Sequence, residues 1–314
     1  MPAQLIRSLY NVPAQLTGGV ITIGNFDGVH IGHQALVDKV IQTASHLAVP
    51  AIIITFEPHP AEFFCKDQLT IPRLTRFREK FSALTQYGAQ AVLVLRFNQA
   101  LATMPARDFI LRLKSNLNFR HFIIGQDFRF GYQRKGNVEM LQALGNELDF
   151  TLETMPTIML DGERVSSTRV REALAKGDHK LANRLLGRPY TMQGRVCHGE
   201  KLGGEWGFPT ANIHLHRRLT PVHGIYAVYM HHITKQPLPG VANVGTRPTV
   251  GGTRTLLEVH LFNFNQNIYG RSVEVEFCHR LRDEIRYPNI ELLKKQIAQD
   301  VVDAQAYFKK NGVL

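Results

Sequence analysis

The segment GNFDGVHIGHQ, residues 24–34, decides how the first half of this 314-residue chain is read. It follows the apolar run VITI (20–23) and leads into a helical pattern, so a strand ends in a glycine-rich turn that opens a helix. The runs AIIITF (51–56), AVLVL (91–95) and HFIIG (121–125) share a feature with VITI. None alternates apolar with polar, which predicts strands buried on both faces of a parallel sheet. Between them, residues 34–48 place Val37, Ile41, Ala44 and Ala48 on one helical stripe, and residues 105–118 carry Phe109, Leu113 and Leu117. Strand alternating with helix predicts a doubly wound α/β domain.

In such sheets ligands sit at the carboxyl ends of the strands. The glycines of the 24–34 turn let backbone approach a ligand, and a helix N-terminus attracts anions. Residues three apart share a helix face, so His30 and His33 are placed to contact one triphosphate. A single histidine at a helix mouth reads as a cap or surface residue. The HxGH spacing after this turn is instead a nucleotidylyltransferase signature. Gly24 and Phe26 join the two histidines as nucleotide-binding candidates. Downstream, RVSSTRVR (164–171) opens a helix with Ser167 and Thr168 between Arg164 and Arg171, a set suited to phosphate oxygens. GQDFRFGYQRKGN (125–137) is a glycine-rich basic loop after another strand, with Asp127 as a polar anchor or a turn residue.

The segment SSTRVREALAKGDHKLANRLLG predicts two helices, the first ended by Gly177, the second capped by Asp178 and ended by Gly187. Beyond it the pattern changes. TMQGRVCHG, GIYAVYM, PGVANVG, LLEVHLF and SVEVEFC are short strands between turns, the layout of a small antiparallel barrel. A closing helix is predicted after Asn289, with Ile290, Leu293, Ile297, Val301, Ala304 and Phe308 as its apolar stripe. GEKLGGEWGFPTANI (199–213) is glycine-rich but is not a P-loop. Gly199 and Lys201 are nucleotide-binding candidates there, and Thr210 and Asn212 offer hard oxygen donors for Mg²⁺. In LLEVHLF, Glu258 faces away from Leu257, Val259 and Leu261, which makes it a candidate general base.

The formal net charge is +11, yet no dense Lys/Arg run exists, RFREK and HRR being the nearest. The charge suits polyanionic small molecules better than nucleic acid. Three scattered cysteines, Cys65, Cys197 and Cys278, make no metal or disulfide pattern and are expected to be reduced, hence a cytoplasmic protein. No signal peptide or membrane span is expected.

Taken in order, GNFDGVHIGH, RLTRFREK, IIGQDFRFG, VSSTRVREAL, LLGRPY, GFPTAN, NVGTRPTVGG, LEVHLF and VEFCHRLRDE closely resemble the bacterial bifunctional riboflavin kinase/FAD synthetase family. The resemblance implies a Rossmann-like FMN adenylyltransferase domain, residues 1–186. It also implies a Greek-key barrel riboflavin kinase, residues 187–314, with its C-terminal helix. It implies that His30, His33, Asp127, Arg164, Ser167, Thr168 and Arg171 form the adenylyltransferase site. Thr210 and Asn212 match the magnesium and ATP motif, and Glu258 the catalytic base. Riboflavin, FMN and ATP with Mg²⁺ are the implied substrates and cofactor; no oligomeric state is indicated. Two departures stand out. Gly203-Gly204-Glu205-Trp206 lacks the arginine common before GFPTAN, and Asn263, Asn265 and Asn267 stand where acids are common. The second is expected to affect only a turn.

Overall fold

The computed structural model describes residues 3–65, 71–199, 207–217, 219–249 and 252–312. The chain divides into two compact units: Met1–Ile71 with Thr75–Ser167, and Pro72–Leu74 with Thr168–Leu314.

The first unit is built on β1 (Gln4–Ile6), β2 (Val20–Ile23), β3 (Ala51–Glu57), β4 (Ala91–Arg96), β5 (His121–Gly125) and β6 (Thr151–Met155), all parallel, in the order β1-β4-β3-β2-β5-β6. The runs of Ile and Val that read as doubly buried strands are so. Ile21, Ile52, Ile54 and Leu93 enter one core with Phe109, Ile110, Leu113, Leu141 and Leu144. Val20, Ile53, Val92 and Ile123 enter the other with Val37, Val40, Ala83 and Leu84. The first core is covered by α5 (Ala106–Leu117) and α6 (Val138–Leu148), the second by α1 (Ile31–His46) and α3 (Phe77–Gln86); α2 (Pro60–Phe64) and α4 (Gln99–Ala102) are short. The chain steps from β2 outward to β3 and β4, then returns to place β5 on the other side of β2. The turns leaving β2 and β5 therefore flank the topological switch point, where ligands bind in open sheets.

Helix α1 differs from its expected stripe. Its buried residues are Gln34, Val37, Val40 and Ala44. Ala48 is exposed, past the helix end, with φ of 53°. A two-residue antiparallel ladder, β7 (Met159–Leu160) with β8 (Glu163–Arg164), closes the unit ahead of α7 (Ser167–Ala175), whose first residue is the last of the unit.

In the second unit, α7 is followed by α8 (His179–Leu186), capped by the Asp178 side chain and ended by Gly187 at φ 67°. A closed barrel follows: β9 (Thr191–Cys197), β10 (Ala211–His214), β11 (Gly224–His231), β12 (Leu238–Thr249), β13 (Gly252–Leu261) and β14 (Ser272–Arg282), ordered β10-β13-β12-β11-β14-β9. Strands β11, β12 and β13 form a meander, and β14 returns beside β11, which is the Greek key. Alternation sorts the side chains: Tyr226, Val228 and Met230 are fully buried, while Ile225 and Ala227 pack with Ala304 and Phe308 of the C-terminal helix, Ile290–Lys310. Asn289 caps that helix as expected. Its stripe is narrower than predicted, for Ile290 is 55% exposed and Asp300 is buried in its place. Pro72–Leu74 belongs to this unit because its carbonyls are taken there. Arg171 Nε donates to Pro72 O at 2.7 Å, the Arg217 guanidinium to Arg73 O at 2.7 Å, and the Tyr190 hydroxyl to Leu74 O at 3.2 Å.

His179 is buried against the Tyr226 ring, and neither ring nitrogen has a partner among the described residues. Burial, with the charges of His279 and Arg280, lowers its pKa to about 4. The unfolded chain therefore takes up this proton first. The contribution of His179 is complete above the ordinary value of 6.5 and is lost as pH falls towards 4, at up to about 1.4 kcal/mol per pH unit. His179→Phe is expected to flatten the fall in unfolding free energy between these limits, measured by denaturant titration at several pH values.

Candidate active sites

The loop leaving β2 is held in a conformation its residues do not favour. Phe26, Gly28 and Val29 have φ of 48°, 83° and 45°. Left-handed backbone at non-glycine residues costs about 1–2 kcal/mol each, so surrounding bonds must fix it. Thr75 donates from its N–H and its hydroxyl to Asp27 Oδ1, at 3.0 and 3.2 Å, and its Oγ1 accepts the Gly28 N–H at 2.9 Å. The Gln34 amide donates to Val29 O at 2.8 Å, and the Ser167 hydroxyl to Asp27 O at 2.8 Å. Ser167, singled out for its hydroxyl, is thus tied to the histidine loop across 140 residues.

His30 is the N-cap of α1, its Nδ1 accepting the His33 backbone N–H at 3.3 Å. The two imidazoles stack with centroids 3.6 Å apart. Gly32 permits this, since a Cβ there would lie 3.3 Å from the His30 ring. Phe26 is fully buried and meets the His33 ring edge-on at 5.1 Å, so its side chain supports His33 rather than facing a ligand. Gly24 lies against the Phe26 ring in turn. Burial, then the adjoining His30 and Lys80 charges, hold His33 well below the ordinary imidazole pKa. Lys80 is itself fully buried and donates to Thr55 Oγ1 at 3.2 Å, and the Thr55 hydroxyl donates to Asn25 O at 3.3 Å.

At the end of β5, Asp127 pairs with Arg164 at 2.5 Å, both half exposed. Phe56, Phe63, Phe64 and Phe97 make an edge-to-face cluster at the carboxyl ends of β3 and β4, with Phe64 67% exposed. Thr168 and Arg171 belong to the second unit.

In the barrel, Asn212 of β10 lies opposite Glu258 of β13, and Glu258 opposite Asn243 of β12. Ladder partners project to the same side, so these side chains form a row. Together with Thr210 they line a cavity of about 340 Å³ walled by Ile285, Leu293 and Ile297. The Arg282–Asp300 pair, bonded twice at 2.7 and 2.6 Å, also lines it and ties β14 to the C-terminal helix. Thr210 also borders a second pocket of about 210 Å³, lined by Phe264, Asn265, Gln266, Asn267 and Tyr269. The asparagine-rich segment is therefore a pocket wall and not merely a turn. Gly199 presses against the Asn212 amide, where a Cβ would come within 2.3 Å of Nδ2. Lys201, Gly204 and Trp206 lie outside the described residues. Among the described residues no cluster of three His, Cys, Asp or Glu is placed to hold a metal.

The family described as FAD synthetase matches residues 12–169, and the family described as riboflavin kinase matches residues 186–308. A bifunctional riboflavin kinase/FMN adenylyltransferase of Haemophilus influenzae is 47% identical over 97% of this chain and 99% of its own length. The chain belongs to the bifunctional riboflavin kinase/FMN adenylyltransferase family. Family members from Pseudomonas fluorescens and Escherichia coli K12 are 45% and 43% identical, over 96% and 97% of this chain and 97% and 98% of theirs. A solved Streptococcus pneumoniae chain described as a macrolide-efflux protein shares the fold, with a TM-score of 0.80 and 29% identity over 96% of this chain and 97% of that one. Among the described residues here, no helix is long and apolar enough to cross a membrane.

Sequence reasoning passed over Thr75, Lys80, Asn243, the Arg282–Asp300 pair and the phenylalanine cluster. RFREK reads as an ordinary basic run, and nothing local marks its lysine as buried. Asn243 has a signal in hindsight: an amide inside the apolar strand PGVANVG. The closeness of Gly199 to Asn212 supplies a test. Gly199→Ala must displace the Asn212 amide and is expected to lower FMN formation from riboflavin at least tenfold. FAD formation from added FMN stays within twofold, both read by chromatography of the flavins.

Proposed function

We propose that each compact unit carries one of two consecutive phosphorus-transfer steps, with riboflavin phosphorylated in the barrel and FMN adenylylated at the β2 turn. The chain is a riboflavin kinase and FMN adenylyltransferase. The observation that carries the assignment of residues is the confinement of two differently built sites to separate units, a histidine pair at a helix mouth and an Asn–Glu ladder pair in a barrel. Functional domains 1–186 and 187–314 fit the two family matches, which leave 170–185 between them. The compact division falls earlier, after Ser167, and α8 packs on β14.

In the first unit, His30 Nδ1 is an acceptor because the His33 N–H points at it, so the proton sits on Nε2. His33 Nδ1 is buried with no partner among the described residues. A bare buried acceptor is tolerated better than an orphaned N–H, which again puts the proton on Nε2. Both rings act as Nε2–H donors to ATP phosphate oxygens as an FMN phosphate oxygen attacks the α-phosphorus. Positioning and charge stabilisation supply the rate; no covalent intermediate is needed. Gly24 presents backbone to the nucleotide, and Arg164 and Ser167 extend the phosphate site, with Asp127 orienting Arg164. Phe64, the exposed member of the phenylalanine cluster, offers the isoalloxazine ring a stacking surface.

In the barrel, Glu258 accepts the proton of the terminal ribityl hydroxyl as it attacks the γ-phosphorus. Thr210 and Asn212 are hard neutral oxygen donors that would hold Mg²⁺ together with the ATP phosphates, and the ion would there neutralise charge on the transferred group. Gly199 seats Asn212, and the pocket at 264–269 takes the nucleoside. The work is cytoplasmic, needs neither nucleic acid nor membrane, and fits three cysteines without disulfides.

Crossed variants test the division of labour. His30→Ala or His33→Ala should lower FAD formation from FMN about 10²–10³-fold and spare riboflavin phosphorylation. Glu258→Gln should lower the FMN-forming kcat about 10²–10⁴-fold and spare FAD formation. Loss of both activities in either folded variant would refute the division. A fragment of residues 168–314 should form FMN but no FAD. It should also melt below the same unit in the full chain, since Arg217 and Tyr190 lose the carbonyls of Pro72–Leu74, each buried bond worth about 1–3 kcal/mol.

A further inference from the structure

The cavity row continues beyond the residues given a role. Asn212 faces Glu258, Glu258 faces Asn243, Asn243 faces Ile225, and Ile225 faces Arg282 across successive strands, and all five line the same cavity. Neighbouring strands are about 4.8 Å apart. The row thus runs from the oxygen donors Thr210 and Asn212, through Glu258, to Asn243, and then past Ile225 to the Arg282–Asp300 pair, with Ile285, Leu293 and Ile297 as the apolar part of the wall. At its turning point Asn243 Oδ1 is buried and has no hydrogen-bond partner among the described residues. Buried amide oxygens in folded proteins are almost always satisfied, so a donor from outside the chain is the natural partner.

The position restricts that donor. It must lie about one strand spacing from the hydroxyl that Glu258 deprotonates, and on the side away from the phosphate donor. A second hydroxyl of the same polyol, a few carbons from the reacting end, meets both conditions. We propose that Asn243 accepts a hydrogen bond from an internal hydroxyl of the ribityl chain. It thereby lays riboflavin across the row with its terminal hydroxyl at Glu258 and its ring system against Ile285, Leu293 and Ile297. This rests on the reading of the barrel as the kinase site. Asn243 is a substrate-binding residue that selects for a hydroxylated side chain; an apolar residue of equal size would hold the ring and lose the chain.

The test uses the full chain with Asn243→Leu, and Asn243→Ser as a smaller variant should leucine perturb folding. Riboflavin KM for FMN formation should rise about tenfold, the loss expected for one ligand hydrogen bond. ATP KM and FAD formation from added FMN should stay within twofold. Fluorescence titration adds a readout that crowding would not reproduce: affinity for riboflavin should fall tenfold, while affinity for lumiflavin, which has the ring without the polyol, stays unchanged. An unaltered riboflavin KM in the folded variants, or equal weakening of riboflavin and lumiflavin, overturns the assignment of Asn243. Failure of the unsubstituted chain to phosphorylate riboflavin would instead refute the kinase reading itself.

Discussion

The hydrogen bonds between Asp27 and Thr75 hold the first site in existence. Left to itself, the turn after β2 would relax, because Phe26 and Val29 sit at positive φ, and a β-branched residue resists that conformation strongly. Thr75 offers Asp27 two donors and gives Gly28 an acceptor, so one side chain closes a ring of bonds around the turn. With the turn fixed, His30 falls at the cap of α1, His33 stacks on it, and Phe26 becomes the buried floor beneath them. Removing Thr75 would release the turn, and neither histidine would keep its place.

The barrel solves the same problem of placement by another route. Its proposed reactive groups do not depend on a strained loop. They are set by strand register, which makes Asn212, Glu258 and Asn243 ladder partners. A slip of one residue would send every one of them to the opposite face. The Arg282–Asp300 pair then fixes the helix that walls the cavity. Its charges are matched by two short bonds, and Gln296 adds a third to Asp300 at 3.0 Å. Breaking one side would leave a buried charge uncompensated, so the pair keeps the wall where it is.

Much of this was legible in the amino-acid order, for identifiable reasons. Strands β2 to β5 could be read because doubly buried strands must be apolar throughout. The helix limits at Gly177, Asp178, Gly187 and Asn289 could be read because caps are local chemistry. What escaped was non-local. Ile290 matches the apolar stripe of the last helix but stands 55% exposed near its first turn, and Asp300 is buried only because Arg282 arrives from β14. Phe26 looked like a ligand contact from its place in the motif, and only the sheet around it shows that its ring is core. The segment around Asn265 looked like a plain turn, and only the barrel brings it beside Thr210. Lys80 and Thr75 act on a loop some fifty residues earlier, a distance that no periodicity reports.

The three-residue interruption of the first unit has a consequence for how the protein is made. Pro72–Leu74 leaves the ribosome early, yet the arginine that captures the Arg73 carbonyl is 144 residues further along. At about 5–20 residues per second, translation leaves that stretch waiting on the order of ten seconds for its partner. Thr75, immediately next to it, already belongs with the nascent sheet. The growing chain must therefore carry the Arg73 carbonyl without this donor until Arg217 is made. Synonymous changes that slow elongation between residues 75 and 217 would prolong this interval without altering a single side chain.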